Sequence, residues 1–446
     1  SHYGRLLITI KKVYTMRTLR LIFAIALTAA CSAAMAQAPV DKQHEELLKN
    51  HKIVYFGNGE ADSTAQLDLI NRFYINQFRH AQDPRAPYFM LMSRSGNMAM
   101  GIGGTIKVIG AYDWDGSMSG TDFSPYNIPI PVNAPNRSLF QASIGSTNIF
   151  FSVFGSDKRF GDYQLYVEAK FNGNRNAFRL NKAYATVRDF TLGLANSTFV
   201  DPASQPSTVE TDGPNSETDY TTLLFRYMHT FGKHFTLAAS VENPNNEIGT
   251  FAHSEGTSAY MPNFAAFAQY QWGKQHIRLA AIVKPMRYRN LAADCNQYTT
   301  GWGLNLSTIF RPVAPLTVYA AANYGCGISS IVNDLQCGAL DLLPYANEVG
   351  KMYAPRSFGW YAGLQYNFRP NIFSTIVVSQ ERMLRKDNTV YDGDGYKYGL
   401  YGVANIFWDI TPRCQVGAEF DLGKRCNVDG TNRLGYRACA LAQFSF

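Results

Sequence analysis

Leu434-Gly-Tyr-Arg-Ala-Cys-Ala-Leu-Ala-Gln-Phe-Ser-Phe446 reads with a period of two. Tyr436, Ala438, Ala440, Ala442, Phe444 and Phe446 fall on one face, and Gly435, Arg437, Gln443 and Ser445 on the other. A strand that is apolar on one side, charged on the other and finished by an aromatic residue suits a barrel with lipid outside and water inside. The last strand of a soluble sandwich shares part of this pattern, so the rest of the chain has to decide.

The N-terminal stretch favours export. From Met16 the chain runs through Arg17 and Arg20 into the apolar segment 21–30 and then Ala34-Met-Ala36. A basic start, a short apolar core and a small-x-small site read as a signal peptide ending before Gln37, with residues 1–15 upstream of the start codon. Cys31 invites a lipoprotein reading, but Thr28 stands where a lipobox needs an aliphatic residue. Residues 1–36 hold five basic residues (Arg5, Lys11, Lys12, Arg17, Arg20) and no acids, which leaves 36 Lys and Arg against 34 Asp and Glu. The basic balance therefore belongs mostly to the leader and is no argument for nucleic acid. No later run approaches 18 apolar residues, so no transmembrane helix is expected. The 27 Tyr and 29 Phe are enough to build aromatic girdles.

Alternating segments fall near 97–114, 139–154, 161–172, 175–187, 189–196, 220–231, 234–244 and 262–272. The second half supplies 275–287, 299–310, 314–325, 357–368, 371–382, 396–408, 413–424 and 433–446. Tight turns at Gly232-Lys233, Gly273-Lys274, Arg311-Pro312, Arg369-Pro370 and Thr411-Pro412 alternate with long connections at 197–219, 245–261, 288–298, 326–356, 383–395 and 425–432. Short periplasmic turns and long external loops produce that alternation, whereas a soluble sandwich has no reason to. The connections at 172–174 and near Arg188 break it. The expected fold is all-β: a transmembrane antiparallel β-barrel of about 16 strands over 88–446. The signal peptide (1–36) and a short periplasmic helical segment (37–87) precede it. Within that segment Ser63-Thr-Ala-Gln66 resembles a capping box, ahead of a face made by Leu67, Ile70, Phe73, Tyr74 and Phe78. A short strand near 88–93 is the main uncertainty in the count.

The alternation turns charges inward, because a lysine or arginine on the lipid face near the midplane costs about 2–4 kcal/mol. Arg179, Arg226, Arg278, Lys284, Glu168, Glu419 and Asp421 are the expected pore-lining charges. The connection 197–219 is the candidate constriction loop, with Asp201, Glu210, Asp212, Glu217 and Asp219 set to face the basic residues across the lumen. A lumen packed shut by paired charges, or an ordinary solvated loop, would use the same residues.

The block Lys182-Ala-Tyr-Ala-Thr-Val-Arg-Asp-Phe-Thr-Leu-Gly193 precedes Ser197-Thr-Phe-Val-Asp201, Pro206, Thr208-Val-Glu210 and Gly213-Pro214. This block resembles the DcaP-like trimeric outer-membrane porins, and Glu168 matches an acidic strand position of that family. The resemblance implies a sixteen-stranded homotrimer in the outer membrane of a Gram-negative bacterium, with a periplasmic N-terminal helix. It also implies passage of small hydrophilic, anionic or dicarboxylic solutes. The chain departs from the family where Lys182 replaces a histidine and where the helical extension is short. Both departures, together with the acidic loop, bear on the anion preference.

Six cysteines remain beyond the leader, and an oxidising compartment favours disulfides. Cys326 and Cys337, in one long loop, are the best pair, with Cys295 to Cys426 a weaker one. Asp392-Gly-Asp-Gly395 reads as a hairpin loop, and no Cys–His spacing suggests zinc; no metal or cofactor is assigned. His229 has no serine partner for a barrel hydrolase. The expected function is a passive porin without catalytic residues. Its expected partners are outer-membrane lipid, small solutes and, through Phe446, the barrel-assembly machinery. The rivals are a closed structural or adhesive barrel working through 326–356, and a membrane-embedded hydrolase.

Overall fold

The computed structural model describes residues 51–58, 63–74, 85–386 and 393–446, apart from 116, 117, 119, 133, 134, 136, 174 and 175. The signal peptide, Phe78 and Asp392 lie outside the described residues. Before the barrel come β1 (Lys52–Phe56), α1 (Ser63–Arg72) and β2 (Phe89–Ser93). The barrel opens with β3 (Met98–Asp115). Its second strand is broken into β4 (Leu139–Ser143) and β5 (Asn148–Asp157), both paired to β3. Next come β6 (Gly161–Lys170), β7 (Arg179–Val187), β8 (Phe190–Asn196), β9 (Thr221–Phe231) and β10 (Phe235–Glu242). After a short β11 (Ser254–Gly256) follow β12 (Asn263–Trp272), β13 (Gln275–Asn290), β14 (Cys295–Val313) and β15 (Leu316–Cys326). A loop carrying α2 (Asn333–Gln336), β16 (Leu343–Pro344) and β17 (Met352–Tyr353) leads to β18 (Arg356–Arg369) and β19 (Ile372–Leu384). The chain finishes with β20 (Tyr396–Asp409), β21 (Cys414–Asn427) and β22 (Asn432–Ser445).

Each barrel strand pairs antiparallel with the next, and β22 pairs with β3 to close a ring of sixteen. Closure gives each of the sixteen strands, with β4 and β5 taken as one, a hydrogen-bonded neighbour on both sides, the condition for a sheet in lipid. The seam is sealed by Phe446, whose N–H donates to Gly104 O at 3.0 Å and whose carbonyl accepts the Gly104 N–H at 3.1 Å.

The period-two reading of the last strand holds. Ala438, Ala440, Ala442 and Phe444 are exposed outward, while Arg437, Cys439, Leu441, Gln443 and Ser445 are buried inward. The outer surface is apolar around the ring, with Leu192, Leu223 and Ile376 more than half exposed. Side chains exposed to that extent need lipid rather than water around them.

The short strand foreseen near 88–93 is present, and one helical face differs from expectation. β2 is a strand, but it pairs with the end of β3 outside the ring and takes β1 as a parallel neighbour, so the count stays at sixteen. α1 buries Gln66, Leu69, Ile70 and Phe73, so Leu69 joins the packed face in place of Leu67. Phe73 meets Phe154 edge-on at 4.8 Å on the inner face of β5.

Candidate functional site in the lumen

Loop 197–219 turns into the barrel. Pro202, Pro206 and Pro214 prevent it from continuing as a ladder strand, and Pro202–Ser204 forms a single 3-10 turn. Its root is fastened to the wall. The Ser197 hydroxyl and the Thr198 N–H donate to the Glu242 carboxylate at 2.7 and 2.8 Å. Asp201 accepts from Ser307 Oγ at 2.5 Å and lies 2.7 Å from His276 Nε2 and 3.4 Å from Arg278 Nη1. Burial pushes the Asp201 carboxyl upward. The Arg278 charge and the His276 and Ser307 hydrogen bonds outweigh it and hold the group well below the usual carboxylate range.

The tip is fastened as well. Glu419 on β21 accepts the N–H groups of Val209 and Glu210 at 2.7 and 2.8 Å. Glu210 accepts the N–H groups of Asp212 and Gly213, each at 2.8 Å, and the Tyr401 hydroxyl at 2.6 Å. Burial, with the adjacent Glu419 carboxylate adding to it, pushes Glu210 up to about 8. Further along, Asn323 Nδ2 donates to Ser216 O and Ser379 Oγ to Asn215 Oδ1.

The long loop after β15 also works inward. Asp334, on α2, accepts from Ser124 Oγ, Tyr126 N, Asn215 Nδ2 and Tyr396 Oη at 2.5–3.0 Å, so it links three loops to β20. Asp341 pairs with Lys284 of β13 at 2.8 Å, both fully buried, and also accepts from Ser329, Ser330 and the Glu247 N–H. Phe199, Ile282, Ile331, Leu335 and Tyr396 belong to one apolar cluster inside the ring.

The pore-lining expectations divide. Arg226 and Arg278 face inward and are half-buried; Arg226 donates to Asn196 O, and Arg278 donates to Val200 O and stacks on Phe267 at 4.2 Å. Arg179 is exposed at the outer end of β7 opposite Lys170, past a register shift in the β6–β7 ladder. Glu168 faces inward, buried against Asn148 and Tyr166. Lys284, Glu419 and Asp421 also face inward, but they lie buried under the loops rather than beside open lumen. The loop acids were expected to face the basic residues across open space. Instead Asp201, Glu210 and Glu217 are buried, Asp212 is half-buried, and Asp219 alone of the five is exposed. The cause is the depth to which the loop packs on the wall. The six cysteines are free: Cys326 ends the β15 ladder opposite Arg356, while Cys337 closes α2 and its sulfur accepts from Asn127, so the expected bridge is not formed.

The loops lie against one bank of the lumen. Inner-face residues of β14–β22, including Asn305, Ser307, Asn323, Ser379, Asn405 and Gln443, are buried. On β6 and β7 the inner-face residues Gln164, Tyr166, Lys182, Tyr184 and Thr186 stay half-exposed. Tyr166 and Tyr184 stack at 5.4 Å. Sequence reasoning passed over both tyrosines, although the same parity that turns Glu168 inward selects Tyr166. The loop residues Asp334 and Asp341 gave no local signal.

No protein-family model and no curated protein matches the sequence. Solved structures do. The outer membrane channel DcaP of Acinetobacter baumannii superposes with a TM-score of 0.66, covering 79% of this chain and 98% of its own at 18% identity. An anion-selective porin from Comamonas acidovorans gives 0.53, covering 78% and 100% at 7% identity. At these identities the likeness is one of fold.

Proposed function

We propose that the protein is an outer-membrane porin of a Gram-negative bacterium, through which small hydrophilic solutes diffuse passively. The observation that carries this reading is the asymmetric lumen. Loop 197–219 is fastened along one wall at its root and its tip, and the opposite bank of β6 and β7 keeps half-exposed polar and aromatic side chains. Sixteen-stranded barrels of this type leave an aqueous channel. Anions are the preferred solutes, because Lys170, Arg179, Lys182 and Arg226 border this bank while the loop acids Asp201 and Glu210 are spent on wall contacts. The resemblance to trimeric porins supports a homotrimer, and Phe446 at the seam is the proposed contact for assembly machinery.

Conductance of the refolded protein in a planar bilayer under a salt gradient tests the reading. Stepwise openings in groups of three with an anion-selective reversal potential are expected. A stably inserted but silent barrel would overturn it. The apolar cluster inside the ring, where Phe199 packs with Ile331 and Leu335, favours a second reading in which the lumen is closed and the barrel serves as a scaffold. Silence in the bilayer is the result that reading predicts.

A further inference from the structure

Under the tip of loop 197–219 the wall carries a cluster that the open bank does not use. Cys439 lies directly opposite Glu419 in the β21–β22 ladder, and Asp421 follows two residues along the same face. That spacing brings three side chains toward one point. Glu419, Asp421 and Cys439 each offer a ligand atom, all within 4.8 Å of one another, and all three are buried. Asp421 Oδ2 accepts the Cys439 thiol at 3.3 Å, whereas the buried Asp421 Oδ1 has no hydrogen-bond partner.

The charges around the cluster do not balance. Glu419, Asp421 and Asp113 are all buried. Among the described residues, Lys107 acts on Glu419 and Arg437 on Asp421. Arg437 is committed to Asp113 through two hydrogen bonds of 2.7 and 2.9 Å. Ile109, Val209, Phe407 and Leu441 surround the site with apolar surface, where uncompensated carboxylates are costly. A dipositive ion would remove that excess.

We propose that Glu419, Asp421 and Cys439 bind a divalent ion of the zinc class. A thiolate beside two carboxylates selects a borderline transition metal over magnesium or calcium, whose ligands are all oxygen. On binding, Cys439 releases its thiol proton to solvent and donates through sulfur. The ion would tie β21 to β22 and, through Glu419, steady the loop tip. This holds whether or not the barrel conducts.

The test uses the refolded full-length barrel with cobalt(II) as the probe. One equivalent per chain with a thiolate-to-cobalt charge-transfer band, bleached by added zinc, is expected. Cys439→Ser should abolish the band, and Asp421→Asn should weaken binding by at least about 10-fold. Heat-modifiable gel mobility reports folding of each variant, and Asp421→Asn, which keeps the side-chain size, serves if the serine variant does not fold. A folded wild-type barrel without the band would overturn the proposal. So would a band that survives in folded Cys439→Ser, since the exposed Cys295 or Cys337 would then be its source.

Discussion

Glu419 Oε1 accepts the backbone N–H of Glu210 at 2.8 Å, so one buried carboxyl group holds the main chain of another. With the Val209 N–H on its other oxygen, Glu419 is the clasp of the loop tip. Hydrogen bonds to a charged acceptor contribute about 1.5–3 kcal/mol each. Glu419→Ala is predicted to release the tip, giving new protease cleavage within 205–215 and noisier open-channel current. An unchanged digestion pattern together with unchanged noise would show that the tip is held elsewhere.

The same clasp should depend on pH. Burial raises the Glu210 carboxyl from 4.5 to about 8. A carboxyl whose folded value is raised binds more protons folded than unfolded, so stability is fully present below 4.5 and is lost as pH rises toward 8. Loop fluctuation in single-channel records is therefore predicted to increase between about pH 5 and 8. Glu210→Gln, neutral throughout, should flatten the profile. A profile of the same slope in that variant would assign the titration to another group.

At the loop root, Asp201 neutralises Arg278 and hydrogen-bonds His276. Asp201→Ala is expected to leave Arg278 uncompensated beside the lumen and move the reversal potential further toward anions. The opposite change, Lys182→Gln with Arg226→Gln, should move it toward cations. Reversal potentials that stay put in both variants would remove these residues from the conducting path.

Lys284 and Asp341 form a fully buried ion pair between β13 and the long loop after β15. Removing one member of such a pair typically costs about 3–5 kcal/mol, because the other charge is left buried alone. Lys284→Met should lower the unfolding free energy of the refolded barrel, read from its urea titration, by an amount of that order. The double variant Lys284→Met, Asp341→Leu should recover most of it. Failure of the double variant to recover would point to lost packing rather than lost pairing.

The ring was legible because one face of every strand meets lipid, and lipid tolerates few exceptions. The alternation in β22 and the tight turns at Gly232-Lys233 and Gly273-Lys274 are direct records of that constraint. The lumen was less legible. Whether Asp201 borders water or lies against His276 depends on how far a proline-rich loop sinks between walls. Nothing in the order of residues 197–219 states that depth. The partners of Asp334 lie on three other segments, so its role exists only once the ring has closed. Glu419 and Asp421 showed their direction in sequence, but not the loop that covers them.

The lumen's asymmetry separates two kinds of inheritance. Residues on the covered wall hold the loops, so most changes there are paid for in assembly and should be purged. The bank of Lys182 and Tyr184 carries little of that burden. Relatives can therefore diverge in what they admit while keeping the same ring, and an engineer can vary that bank combinatorially with the opposite wall left untouched.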